Sequence, residues 1–147
     1  MDEKQLKTAA DNLCFTDVNQ YGNGLSLIHI YQASAAYWCA GQASVVVVKH
    51  GREGSTAYTR DGNSYSIRPF PVEALKGFGG GDGYASSFLY GILNGLDMMD
   101  CLELGSASAS MLVASHGCSP DMPTVKELEA FIKKEKEQYG EMVAREE

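Results

Sequence analysis

Four consecutive valines, Val45 to Val48, constrain the fold more than any other feature of this 147-residue chain. β-Branched side chains favour extended backbone, and an unbroken apolar run has no polar face to offer water. Residues 44–49 are therefore expected to form a strand buried on both faces, as in a parallel or mixed sheet covered by helices. Downstream, Ser55 to Thr59 and Ser64 to Arg68 flank Arg60-Asp61-Gly62-Asn63. Asp-Gly between two strand-like runs reads as a hairpin turn. Three helices are expected next. Asp82 to Leu93 carries Ala85, Phe88, Leu89 and Ile92 on one stripe, with Asn94-Gly95 as its stop. Asp97 to Ala114 is rich in small residues over 105–110, which suits close approach by a neighbouring helix or a flat ligand. Pro123-Thr124-Val125-Lys126-Glu127 opens a third helix, and Thr124 and Glu127 match a capping box. Its apolar side carries Leu128, Phe131 and Ile132. Residues 4–13 suit a short helix, 16–24 a turn or loop, and 32–40 a helix, while Lys133 to Glu147 is charged and expected to fray. One strand and one hairpin make a small sheet for a valine strand, so its remaining neighbours are expected from another chain or from sequence beyond this one.

The run Gly79-Gly80-Gly81-Asp82 stands at the start of the first of these helices. Three glycines let the backbone turn with its N–H groups pointing inward, and the helix adds its positive dipole end. The result is an anion cradle suited to phosphate. A carboxylate at a phosphate site repels phosphate, so Asp82 calls for a reason, and taking a proton from an attacking hydroxyl is one. The same string also suits a glycine-rich turn whose aspartate caps a helix.

Net charge is −7, which argues against a generic nucleic-acid or membrane-surface partner. An anionic substrate would have to be held by local backbone donors, which the glycine run offers. No apolar stretch is long enough to span a bilayer, and Met1-Asp2-Glu3-Lys4 lacks the apolar core of a signal peptide. Cys14, Cys39, Cys101 and Cys118 form no Cys-x-x-Cys pair, which fits free, mostly buried thiols in a reducing cytoplasm. No cluster of His, Cys and Asp suggests a dedicated metal cage. His116-Gly117-Cys118 is a poor nucleophile pair, because no carboxylate is evident to orient the histidine.

From about Ala33 to Ile132 the chain resembles the C-terminal half of ribokinase-like (PfkB) sugar kinases. The strings are Val47-Val48-Lys49-His50-Gly51-Arg52-Glu53-Gly54-Ser55, Phe78-Gly79-Gly80-Gly81-Asp82-Gly83-Tyr84-Ala85-Ser86-Ser87-Phe88, Gly105-Ser106-Ala107-Ser108-Ala109 and Met122-Pro123-Thr124-Val125. The second overlaps the family signature Gly-Ala-Gly-Asp and is the specific one. Here Gly80 replaces the alanine, Gly77 stands where threonine is usual, and Lys76 where many members have aspartate. The resemblance implies a ribokinase-like three-layer α/β/α fold, present as its C-terminal portion. It implies ATP-dependent phosphorylation of a sugar or sugar-acid hydroxyl. Asp82 would be the general base and Gly79, Gly80 and Gly81 the anion hole. Gly51 and Gly54 would pass near the nucleotide, and Ser106 and Ser108 would line its adenine pocket. Mg²⁺ would arrive with ATP, and the small molecules would be the only partners expected beyond self-association through exposed sheet edges. The alternatives are a noncatalytic nucleotide- or phosphate-binding module and an unstable fragment.

Three segments follow from this comparison: an atypical stretch over 1–32, kinase sequence over 33–138, and a charged tail over 139–147. Leu25-Ser26-Leu27-Ile28-His29-Ile30 matches the in-frame translation of a transposon-end sequencing adaptor, so residues 1–30 are expected to be in part an assembly artefact. A short amphipathic strand is the other reading of that string.

Overall fold

The computed structural model describes residues 13–17 and 43–146. The chain divides into two compact units, one holding Met1–Ser66 and Arg145–Glu147, the other Ile67–Ala144.

The first unit is built on strands. In chain order these are β1 (Leu13–Asp17), β2 (Val45–Lys49), β3 (Ser55–Thr59), β4 (Ser64–Ile67) and β5 (Val143–Glu146), and they form one sheet in the order β1-β2-β3-β4-β5. β1 runs parallel to β2, with Leu13 opposite Val45 and Asp17 opposite Lys49. β3 runs antiparallel to β2, with Val45 opposite Thr59 and Lys49 opposite Ser55. The sheet is therefore mixed, as the valine run predicts. Val46, Val47 and Val48 are all buried. Successive strand side chains point to opposite faces, so both faces of β2 are covered.

Two turns shape this unit. After β2 the chain makes one turn of 3-10 helix at Gly51–Glu53. Gly51 (φ 60°) and Gly54 (φ 105°) take left-handed backbone there, and the His50 N–H donates to the Gly54 carbonyl at 2.8 Å. The β3–β4 hairpin forms at the expected Asp61-Gly62, where Gly62 has φ 88°. Asp61 accepts from the Thr59 hydroxyl and the Asn63 N–H, and these bonds hold its carboxyl below the usual range.

Two of the five strands were not expected, and with β1 the valine strand finds within this chain a second neighbour that was expected from elsewhere. β1 occupies Leu13–Asp17, across the end of the helix predicted over 4–13 and the start of the loop predicted over 16–24. β5 occupies part of the stretch predicted to fray, with Met142 and Val143 buried. Strands of four or five residues are too short to show a period, and their hydrogen bonds come from a neighbour distant in sequence. Arg145 reaches Asn63 and lies 5.8 Å from the centre of the Tyr65 ring, so the tail is tied down by its charges as well as by pairing. The expected helix over 32–40 and the string Leu25–Ile30 lie outside the described residues, as do residues 4–12 of the first expected helix and the rest of the expected loop beyond Asp17.

The second unit is helical. It contains α1 (Gly80–Leu93), α2 (Met98–Val113) and α3 (Val125–Tyr139). Asp97 caps α2, accepting from the Asp100 N–H at 2.9 Å. Thr124 and Glu127 form the expected reciprocal capping box on α3. α1 and α2 pack antiparallel along a seam of glycines. A Cβ on Gly80 would meet Val113, one on Gly83 would meet Leu112 and Ser108, one on Gly91 would meet Cys101, and one on Gly105 would meet the Tyr84 ring. The small residues of α2 thus serve close helix packing. Ser110 donates to the Phe70 carbonyl at 3.2 Å, and the buried Phe70 ring meets Phe131 of α3 edge-on at 5.5 Å.

One ion-pair network joins α2 to α3. Lys136 lies 2.9 Å from Glu103 and 2.9 Å from Glu141. Burial pushes the Glu103 carboxyl up, with Lys136 partly offsetting it. Bonds to Glu141 and Glu103 push the Lys136 ammonium up. The lysine's contribution to stability is fully present below its ordinary value of 10.5 and is lost as pH rises through its raised folded value. The glutamate costs stability as pH rises through its own raised value, because the fold prefers that carboxyl protonated. Lys136→Met strands the buried carboxylate and, with the lysine itself partly exposed, is expected to cost about 1–3 kcal/mol at pH 7. The loss should shrink as pH falls and Glu103 takes a proton. Urea melts at both pH values check this, and an equal loss at both would remove charge as the cause.

Candidate active site

The N-terminus of α1 is uncapped by any side chain. Its cap residue is Gly79, held at φ 86° in left-handed backbone, so the chain enters the helix by a turn that L side chains rarely make. The first backbone bond of the helix runs from the Gly83 N–H to the Gly79 carbonyl at 3.0 Å. The N–H groups of Gly80, Gly81 and Asp82 precede that bond and have no acceptor within the helix. They form a cluster of donors at the positive end of the dipole. Asp82 is therefore not the cap. It is the third helical residue, exposed, and the acidic group of the first turn.

The segment before the glycines is fixed to the end of α2. The N–H groups of Leu75 and Lys76 both donate to the Val113 carbonyl, at 2.8 and 3.2 Å. The Lys76 ammonium bonds the Gly117 carbonyl and lies 3.5 Å from both the Ser115 hydroxyl and the Cys118 sulfur. The Phe78 ring sits 5.3 Å beneath it. The turn over 115–118 in turn touches the cradle, because a Cβ built on Gly79 would lie 2.8 Å from the Cys118 sulfur.

The remaining predicted site residues fall in two places. Gly51 and Gly54 belong to the first unit, in the turn after β2. Ser106 and Ser108 lie in the second unit and are buried. Ser106 donates to the Arg68 carbonyl at 3.5 Å. Ser108 is fully buried, its hydroxyl has no partner, and it lies 3.0 Å from where a Gly83 Cβ would be. Both serines thus face packed backbone in this structure. The glycine run and Asp82 are brought together as expected. The Lys76–Gly117–Cys118 cluster is not legible from spacing, since Lys76 stands about forty positions from the other two; by spacing, His116-Gly117-Cys118 reads as no more than a poor nucleophile pair.

Comparison with known proteins places the chain in a family. A profile of the pfkB family carbohydrate kinases matches residues 30–125, and the chain belongs to that family. Among curated relatives, it is 67% identical over 114 residues to a 5-dehydro-2-deoxygluconokinase of Clostridium perfringens, covering 78% of this chain and 34% of that protein. It is 48% identical over 101 residues to the enzyme of the same name from Bacillus anthracis, covering 69% of this chain and 30% of that one. The chain thus spans about a third of the length of these relatives. Among solved structures, Arabidopsis thaliana ribokinase complexed with ribose and ATP superposes with a TM-score of 0.72 at 19% identity, over 86% of this chain and 42% of that one. A putative ribokinase II from E. coli in complex with ATP and Mg²⁺ gives 0.70 at 17% identity, over 89% and 42%. The sheet and three helices are part of the ribokinase-like α/β fold.

Proposed function

We propose that this chain supplies the phosphate cradle and the catalytic base of an ATP-dependent sugar-acid kinase, with 5-dehydro-2-deoxy-D-gluconate, an intermediate of inositol breakdown in the cytoplasm, as its substrate. Residues 33–138 carry that role. The single observation behind the reading is the uncapped α1 N-terminus, with an exposed carboxylate in its first turn. Its donors fit a phosphate: glycine at the cap leaves the N–H groups unsatisfied, and a side chain on Gly79 would collide with Cys118.

In the proposed reaction the Asp82 carboxylate takes the proton from a sugar hydroxyl. That oxygen attacks the γ-phosphorus of ATP, the bond to the bridging oxygen breaks, and ADP leaves. The N–H groups at the start of α1 stabilise charge on the transferring group. Mg²⁺ would enter on the phosphates and neutralise part of their charge. Among the described residues no group of three or more His, Cys, Asp or Glu side chains could hold a metal ion. Gly51 and Gly54 are proposed to border the nucleotide from the turn after β2. Ser106 and Ser108 are proposed to support the adenine side from beneath the surface, as packing for the wall rather than as direct contacts.

The test is a thermal melt of the purified chain with and without Mg-ATP. A ligand at a hundred times its Kd stabilises a folded site by about 2.7 kcal/mol, which moves a melt of this size by several degrees. A cooperative melt that rises with Mg-ATP is the expected result. A melt indifferent to nucleotide at millimolar concentration would overturn the assignment of the cradle.

A further inference from the structure

The cradle's shape depends on a group that the proposed chemistry does not use. Lys76 sits three residues before Gly79, is half-buried, and its ammonium bonds into the Ser115–Cys118 turn. Four features meet there: the Gly117 carbonyl, the Ser115 hydroxyl, the Cys118 sulfur and the face of the Phe78 ring. Carbonyl and hydroxyl oxygens, sulfur and a π face all attract a cation. The Gly117 peptide is also held from its other side, since its N–H donates to Asp121 at 2.7 Å. The Ser115 hydroxyl lies 2.9 Å from the carbonyls of both Leu112 and Gly117 and shares its one proton between them, which ties the same turn to the end of α2. Cys118, the last residue of the turn, then packs against Gly79, the cap of α1.

We infer that Lys76 is a positioning residue: its ammonium acts as a tethered cation that locks the 115–118 turn and thereby holds Gly79 in its left-handed entry to α1. The reasoning is local and sequential. The turn places one carbonyl, one hydroxyl oxygen and one sulfur toward the ammonium, and without the cation the lone pairs it engages would be left to water. With the ammonium in place the turn is rigid, and Cys118 forms a fixed floor under Gly79. The donors of the cradle are thereby set before any ligand arrives, and that preorganisation is what makes such donors effective. The role in nucleotide binding rests on the kinase reading; the latch itself does not.

Lys76→Met keeps the apolar stem of the side chain, stops one atom short of the ammonium position and removes the cation. Amide hydrogen exchange of the full 147-residue chain is the primary readout. The Gly117 and Cys118 amides are expected to exchange about tenfold faster in Lys76→Met, while amides in the middle of α3 stay unchanged. Adding ammonium chloride should restore protection, because the vacated cup fits a small ammonium ion, and tetramethylammonium chloride at equal ionic strength should not. Lys76→Arg, which keeps the charge, should lose less protection than Lys76→Met. Unchanged exchange in Lys76→Met would overturn the latch, and so would a loss that ammonium cannot restore. Should Lys76→Met fail to fold, the unmodified chain decides by itself: a latched ammonium gives a slowly exchanging ¹⁵N–H₃ signal near neutral pH, and absence of that signal overturns the proposal. The Mg-ATP melt shift of the two variants separates the claims. Restored exchange with no melt shift in any form would sink the kinase reading and leave the latch standing.

Discussion

Replacing Asp82 with asparagine, in a full-length kinase that carries this segment, is expected to lower turnover about a thousandfold, within the range for loss of a general base. Asparagine is nearly isosteric, so the first turn of α1 should be unchanged. It cannot take the hydroxyl proton. It also removes a negative charge beside the phosphates, so ATP should bind as well as before or slightly better. The distinguishing pattern is a fall in kcat with little change in the Kd for ATP. Asp82 is exposed and stands in the first turn, where a substrate can reach it. Single-turnover kinetics and calorimetric titration check the two halves. Turnover within tenfold of the parent would remove Asp82 from the base role.

The second large effect is structural. Gly83→Ala is expected to destabilise the chain by up to about 2 kcal/mol, although alanine is the better helix former. Propensity alone would return about 1 kcal/mol. Against that, the new Cβ would lie 2.3 Å from a Leu112 methyl carbon and 3.0 Å from the Ser108 hydroxyl. Both neighbours are buried and cannot swing into solvent. Overpacking of this kind costs about 1–3 kcal/mol, so packing wins over propensity. Gly77→Ala is the control: no atom lies within 4 Å of its Cβ position and its φ is not positive, so a change within about 0.5 kcal/mol is expected. Urea unfolding of both variants measures the difference. Gly83→Ala at or above the stability of the parent chain would show that α1 and α2 can separate to admit the methyl.

The same seam explains why part of the site was readable from sequence and part was not. The glycine run and its aspartate lie in one contiguous string, so the backbone donors and the carboxylate are brought together by covalent linkage and helix geometry alone. Ser106 and Ser108 also lie in one string, but a string does not say which way a helix face turns. The structure turns Ser108 into the seam against Gly83, and Ser106 toward Arg68. Lys76 finds Gly117 across about forty residues, and nothing in the intervening sequence signals that meeting.

Local physics on the sequence determined several elements outright. Four valines made a doubly buried strand, Asp61-Gly62 made a hairpin, and Thr124 with Glu127 capped α3. Each depends on neighbours within a few residues, where spacing and stereochemistry are sufficient. Tertiary structure alone decided that Leu13–Asp17 pairs in parallel with the valine strand, and that Val143–Glu146 closes the far edge of the sheet rather than fraying. Those segments have little preference of their own, and the hydrogen bonds that order them belong to a partner strand that only the folded chain brings near.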